Sequence, residues 1–393
     1  MADLRYERSV PKSPTIATFA ALSLALAACE SKPLAPLPVD VNEAAAGAGG
    51  ASELSPAGTK QLVLNDARIS SDQSADDFQR ASAEVDFGDE PVARAALYVD
   101  LRSPCFPFAG WEELGVPAGQ RWPAPCDAFD RTIQITLDDP EDPATGALPL
   151  ELIRAITPFG GPEHLEADVT DVVNGLPGKH RLAVHIDTWS DAEGLVSGSQ
   201  GEWYASATLE VWAGAAPRRV LAVVPVAFEK QTDLKGTIAG FEVPYDAQNP
   251  ILDARLEYRA TGHGGIATFS TKCRGPAEEF CRHTHQLELN GESLAEMDPW
   301  RDDCDTLCTV ATNDGKYGPK SYCAENPCGD PNSVRAPRAN WCPGSVSPPF
   351  VMRSGLLARA GEHEFSHRIP DFIEGGQWTI SATYFAFGVA EQP

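Results

Sequence analysis

The stretch Cys273–His285, CRGPAEEFCRHTH, concentrates side chains that can do chemistry. Two cysteines bracket Glu278, Glu279 and Phe280, and Arg282, His283, Thr284 and His285 follow. A small disulfide ring holding a carboxylate beside an aromatic suits a polar, ring-shaped ligand such as a sugar. A second acid, Asp130, lies in CDAFDR (Cys126–Arg131), just before the strand-like run TIQITL, with Phe129 and Arg131 as its neighbours. A carboxylate at a loop–strand junction is held rigidly and partly desolvated, as a general base must be. Arg131 is placed to clamp a ligand oxygen or to set the charge state of the acid. A third acid, Asp187, stands in HIDTW with Trp189 two residues on. If the strand runs through both, they share a face, and an acid beside a flat apolar ring again fits a sugar. The plainer readings are a surface Asp–Arg pair and a sheet-edge Trp with a solvated Asp.

His263, His283 and His285 raise a metal reading, since His283 and His285 flank one residue and would share a strand face. In an oxidising compartment the nearby cysteines are better used as a disulfide, and a Met-ligated copper site would have to use Met297 or Met352, neither expected near a His pair. No metal or organic cofactor is expected. Neither a G-x-S-x-G nucleophile elbow nor a phosphate-binding G-x-x-x-x-G-K-[ST] loop occurs.

The elements that must position these residues read as strands. RAALYVDL (94–101), TIQITL (132–137), RLAVHIDTW (181–189), SATLEVW (206–212), HTHQLELNG (283–291) and QWTISATYFAFGV (377–389) alternate with the period of two expected of half-buried strands. DVTDVV (168–173) reads as a helical turn. LAVVPVAF (221–228), interrupted by Pro225, is the expected passage between domains. Amphipathic helices are scarce, and 33 Pro and 33 Gly are spread through the chain. The fold class is therefore all-β: two antiparallel sandwiches whose long Cys- and Pro-rich loops carry function.

With 393 residues there is room for two domains, expected at 61–222 and 223–393. Residues 1–28 form a targeting segment: Arg5, Arg8 and Lys12 precede a short apolar run that ends in LAAC. This resembles a bacterial lipoprotein signal, with Cys29 the acylated first residue of the mature chain; an ordinary secretory signal is the alternative. Either way the protein is exported, held to a membrane or cell surface through Cys29 or released. Residues 29–60, rich in Ala, Gly, Pro and Ser, read as a flexible tether. A formal charge of −25 argues against nucleic acid and anionic membrane surfaces as partners. The remaining cysteines are expected in disulfides: Cys105–Cys126, Cys273–Cys281, Cys304–Cys342 and Cys323–Cys328, leaving Cys308 over.

Taken together, CDAFDR, ITP (156–158) with DVTD, HIDTW, AVVPV (222–226), GHGG (262–265), C…AEEFCRHTH, PWRDDC (299–304) and RANWCPG (338–344) occur in an order that resembles the peptide-N-glycosidase F family, over roughly residues 75–390. These are secreted bacterial amidases that remove N-linked glycans from asparagine. The resemblance implies two jelly rolls packed side by side, and N-glycosylated proteins or glycopeptides as substrate for a monomer. It implies catalytic roles for Asp130, Glu279 and Asp187, the last standing where the family usually has Glu. It further implies ligand contacts from Arg131, Arg338, Trp189, His263, Phe129 and Phe280, the two Phe replacing frequent Trp. A glycan-binding protein without turnover, or more remotely a copper monooxygenase on paired jelly rolls, are the alternatives.

Overall fold

The computed structural model describes residues 58–104, 115–120, 123–140, 147–191, 193–232, 236–243, 250–266, 273–315, 318–371 and 373–389. The leader, Cys29 and Cys105 lie outside the described residues. The first half holds β1 (Thr59–Ile69), β2 (Arg80–Asp86), β3 (Val92–Arg102), β4 (Thr132–Leu137), β5 (Leu150–Ile156), β6 (Glu163–Asp168), helix α1 (Thr170–Gly175), β7 (Lys179–Ile186) and β8 (Trp203–Ala213). The second holds β9 (Val220–Gln231), β10 (Thr237–Val243), β11 (Asp253–Gly264), β12 (His285–Leu289), β13 (Glu292–Met297), β14 (Val310–Gly315), β15 (Gly318–Cys323) and helix α2 (Pro331–Arg335). It closes with β16 (Ser345–Val346), β17 (Phe350–Met352), β18 (Gly361–Arg368) and β19 (Gly376–Phe387).

These strands form two antiparallel β-sandwiches. In the first, the sheet β1-β8-β3-β6 faces the sheet β16-β5-β4-β7-β2; in the second, β10-β18-β12-β13 faces β17-β11-β19-β9. Each buries its own apolar core. Leu97, Val99, Ile133, Ile135, Val184 and Trp203 lie in the first, and Leu256, Tyr258, Leu287, Phe365, Trp378 and Ile380 in the second. Alternation located the strands well, but TIQITL is buried on both faces rather than one. It runs mid-sheet between β5 and β7, where both sides meet protein. Pro225 sits inside β9, at a register shift against β19. β9 is an edge strand, the place where a missing N–H is tolerated. β1 starts at Thr59, within the segment read as tether.

Two features lock the sandwiches together. β16, from the second half of the chain, pairs with β5 of the first sandwich, and Phe385 and Phe387 of β19 pack into the first core. Between them, Glu151 and Arg154 form an ion pair with both side chains fully buried. Arg154 Nε and Nη2 donate to the Glu151 carboxylate at 2.9 and 2.6 Å. Across the seam, Arg154 Nη1 donates to the Thr379 carbonyl and the Ser381 hydroxyl donates to Glu151.

The disulfides Cys273–Cys281 and Cys304–Cys342 form as expected. Cys323 pairs with Cys308 and not with Cys328. The β14–β15 ladder sets Val310 opposite Cys323 and so brings Cys308 alongside. The turn after β15 carries Cys328 away to Phe159, whose carbonyl accepts its N–H at 3.1 Å. Cys126 is disulfide-bonded.

Breaking the seam ion pair should be costly. Arg154→Met leaves a buried, uncompensated carboxylate, and equilibrium denaturation should show a loss of about 3–5 kcal/mol. Glu151→Met with Arg154→Met should recover most of that loss, because no buried charge is then left alone. A double variant as weak as the single one would refute this account.

Candidate functional site

The two sequence-distant acids meet at the seam. Asp130 stands at the loop–strand junction one residue before Arg131 and two before β4. The backbone there is fixed by Thr157, whose hydroxyl accepts the Arg131 N–H at 2.8 Å and donates to the Phe129 carbonyl at 2.9 Å. Glu279 lies in a single 3-10 turn, Glu278–Phe280, inside the Cys273–Cys281 ring. Its carbonyl accepts the Ala339 N–H at 2.8 Å, which ties the ring to RANWCPG.

Arg338 is bonded to one acid and acts on the other through its charge. Its side chain is fully buried and donates from Nη1 to Glu279 Oε1 at 2.7 Å. Its Nη2 donates to the Ser333 carbonyl and hydroxyl at 2.7 and 3.0 Å, and the guanidinium lies over Phe280 and Trp341. Both carboxyls feel this cation and each other. Asp130 is raised above the ordinary carboxylate range, chiefly by burial, while Arg338 and Arg131 pull it down. Glu279 is pushed up to about 7, first by burial and then by the charge of Asp130, with Arg338 opposing. Two carboxyls in one partly desolvated site resist full ionisation and titrate as a unit. Near neutral pH such a pair holds a carboxylate and a carboxylic acid side by side.

Other residues singled out in the sequence take different places. Arg131 does not hold Asp130: its Nε donates to Asp127 at 3.0–3.1 Å. Asp127, fully buried, also accepts from the Trp203 indole at 3.2 Å, so this acid anchors the loop. Arg131 Nη2, Arg338 Nε and His263 Nε2 are buried with no hydrogen-bond partner in the protein. His263 stacks on Trp341 with ring centroids 5.2 Å apart, and burial drives its pKa down to about 3, so it is a neutral imidazole. Phe129 and Phe280 flank the acids. Both lie hard against glycines, a Cβ on Gly198 or Gly275 falling 2.7 or 2.5 Å from their rings.

Asp187 and Trp189 do not share a strand face, because β7 ends at Ile186. The chain then turns, with the Thr188 hydroxyl donating to the Ser70 carbonyl at 3.0 Å. Trp189 is left 38% exposed, open to a ligand. Asp187 is ion-paired with Lys230, Nζ to Oδ2 at 2.9 Å. The charges that shift Glu279 are those of Asp130 and Arg338.

The histidine pair does not form a ligand set. His285 is hydrogen-bonded through Nδ1 to the Tyr258 hydroxyl at 2.9 Å. Donor atoms of Glu278, Cys281 and His283 cluster within 4.8 Å, but the Cys281 sulfur is in the disulfide and offers no thiolate, so the donors present do not fit a metal centre. Glu278 instead accepts from the Trp378 indole at 2.7 Å and from the Ile373 N–H at 3.0 Å, which fixes the ring from below. Cavities of about 420 and 800 Å³ lie elsewhere, on the outer face of the first sandwich and at the arginine-lined seam around Arg218 and Arg255. The acids' own chemistry, rather than cavity size, marks the site.

Residues 230–384 match the family described as peptide-N-glycosidase F, C terminal. This C-terminal region belongs to the peptide-N-glycosidase F family. No curated protein matches the chain. Among solved structures, PNGF-II aligns with TM-score 0.60 at 17% identity, over 84% of this chain and 65% of that one, so the chain spans just under two thirds of PNGF-II. A peptide-N(4)-(N-acetyl-β-D-glucosaminyl)asparagine amidase aligns with TM-score 0.59 at 17% identity, over 84% of this chain and 96% of that one. PNGase F, a glycosylasparaginase from Flavobacterium meningosepticum, gives TM-score 0.58 at 17% identity, with the same coverage. The two-sandwich fold is thus that of the peptide-N-glycosidase F structures. Glu279, Trp341 and Arg338 fall inside the matched family region, whereas Asp130 precedes it.

The pair's electrostatics predict a stability signature. Glu279 has a folded-state pKa above its unfolded one, so its stabilising contribution is full below the ordinary glutamate range and is lost as pH rises through about 7. Glu279→Gln should therefore melt roughly 2–4 °C above wild type at pH 8 and level with it at pH 4. A lower melting point at pH 8 would mean that the Arg338 bond outweighs burial.

Proposed function

We propose that this protein is a peptide-N-glycosidase that hydrolyses the side-chain amide joining asparagine to the first N-acetylglucosamine of an N-linked glycan. The observation that carries the reading is the Asp130–Glu279 pair, set in a partly desolvated site at the seam, with buried Arg338 bonded to Glu279 and acting on Asp130 through its charge. Amide hydrolysis needs an activated water, an electrophilic stabiliser for the oxyanion and a proton for the leaving amine. The ionised member of the pair, assigned to Asp130, takes a proton from water as the oxygen attacks the asparagine amide carbon. The N–H groups of Arg131 and Arg338 that have no partner in the protein are assigned to the developing oxyanion. Collapse of the tetrahedral intermediate breaks the C–N bond, and Asp130 returns the proton to the departing nitrogen. The products are aspartate in the peptide and a 1-amino sugar, which later releases ammonia. Glu279, protonated near neutral pH, orients the water and the sugar. Asp187 holds the sugars beyond, and Trp189 stacks on them. The protein's own carboxyls and guanidinia supply every group the reaction needs. Export and lipid anchoring at Cys29 belong to the same proposal and place the enzyme where glycoproteins are met.

Asp130→Ala should abolish glycan release from a denatured glycoprotein while circular dichroism and melting show the fold intact. Mass spectrometry of the wild-type digest should find Asp where the glycosylated Asn stood. A sugar left on Asn would mean glycosidase chemistry, and binding without any release would mean a lectin-like protein.

The rate should follow a bell-shaped pH profile, its alkaline limb near pH 7 reporting loss of the pair's last proton. In Glu279→Gln, whose amide cannot lose that proton, the alkaline limb should vanish while the acid limb stays. An unmoved alkaline limb would take Glu279 out of this role.

A further inference from the structure

Lys230 and Asp187 meet across the seam. Lys230 belongs to β9 in the second sandwich, opposite Thr379 of β19. Asp187 belongs to the first sandwich, one residue past β7, its backbone N–H donating to the Thr132 carbonyl at 3.2 Å. The ammonium binds one carboxylate oxygen, Nζ to Oδ2 at 2.9 Å. The other oxygen, Oδ1, is 3.9 Å from His185 Nδ1, outside hydrogen-bond range. One oxygen of Asp187 is therefore held and the other is left to accept. Both side chains remain reachable, at 44% and 29% exposure. The bond to Thr132, two residues from Asp130, sets Asp187 beside the start of β4, and the charges of the ion pair reach His263, as do those of Arg154 and Arg338.

We infer that Lys230 is a positioning residue for Asp187: it holds Oδ2 from the opposite sandwich so that Oδ1 presents to a hydroxyl of the bound sugar. The inference rests on the reading of the seam as an N-glycan site. Asp187 stands one residue beyond the end of its strand; its backbone N–H still bonds to the Thr132 carbonyl, but no strand pairing orients its short side chain. The ammonium supplies that constraint from outside. An exposed pair of this kind adds little to folding, which separates its proposed role from a structural one. Asp187 acquires its working geometry only when the two sandwiches are docked.

The test compares Lys230→Met, Lys230→Arg, Asp187→Asn and the Met/Asn double variant on a defined glycopeptide. Lys230→Met should raise KM about tenfold with kcat changed less than about twofold, the pattern of lost ground-state binding. Lys230→Arg should restore most of the loss. The double variant should be no worse than Asp187→Asn, because the two residues act as one unit. An unchanged KM in Lys230→Met, failure of Arg to rescue, or additive losses would overturn the inference. Calorimetric binding of the uncleaved glycopeptide in an Asp130→Asn background separates this from the reaction itself. If wild type releases no glycan yet Lys230→Met still weakens binding about tenfold, the positioning role stands and the amidase reading falls. If the Asp130→Asn protein does not bind the glycopeptide, the positioning role falls.

Discussion

The fully buried Glu151–Arg154 pair sets the relation between the two sandwiches, and the site inherits its geometry from that relation. Removing two charges from water is expensive, and only near-ideal geometry offsets the cost. Here Arg154 spends two donors on Glu151 and its third on the Thr379 carbonyl, while Ser381 adds a donor to Glu151. Those last two bonds tie β19 to β5 across the seam. The seam is thereby held by directional contacts, where apolar packing alone would tolerate sliding. Asp130 hangs from the start of β4, beside β5, and Glu279 from a ring tied to β11 and β19 through Ala339 and Trp378. A shift of the seam by one residue would separate them.

A second constraint concerns charge. The chain carries −25 overall, yet its candidate site brings two carboxyls together. Arg338 makes this tolerable without removing the tension. A guanidinium with free access to both acids would pull each below the usual range, and neither would hold a proton near pH 7. Burial acts in the opposite direction and prevails, so Glu279 ends near 7. Ser333 limits how far Arg338 serves the acids, since it takes both bonds of Nη2. The disulfide Cys308–Cys323 lies with Ser333 in the segment closed by Cys304–Cys342.

Strand positions were legible because a period of two survives wherever one face is buried. It misled at TIQITL, whose polar Thr and Gln are buried in mid-sheet, and at HIDTW, where the strand stops before the acid. The meeting of Asp130 with Glu279 could be named only through the likeness of scattered segments to a family, since no local pattern encodes a contact spanning that much chain. The pairing of Cys308 needed the β14–β15 register, which no local sequence pattern reveals. Lys230 was invisible as a site residue: in sequence it ends an apolar run as any solvated lysine does, and only the seam brings it to Asp187.

The division of labour follows from where the groups are anchored. Each sandwich contributes one acid of the candidate site, and each contributes one partner of an ion pair that crosses to the other. An isolated sandwich would keep its core, because the two apolar clusters are largely separate. It would lose the proximity that raises Glu279, since Asp130 lies on the opposite side. The perturbed carboxyl therefore owes its shift first to burial around the Cys273–Cys281 ring and then to the docking that brings Asp130 near. That is why a motif confined to the ring reads as chemistry yet cannot, by itself, perform it.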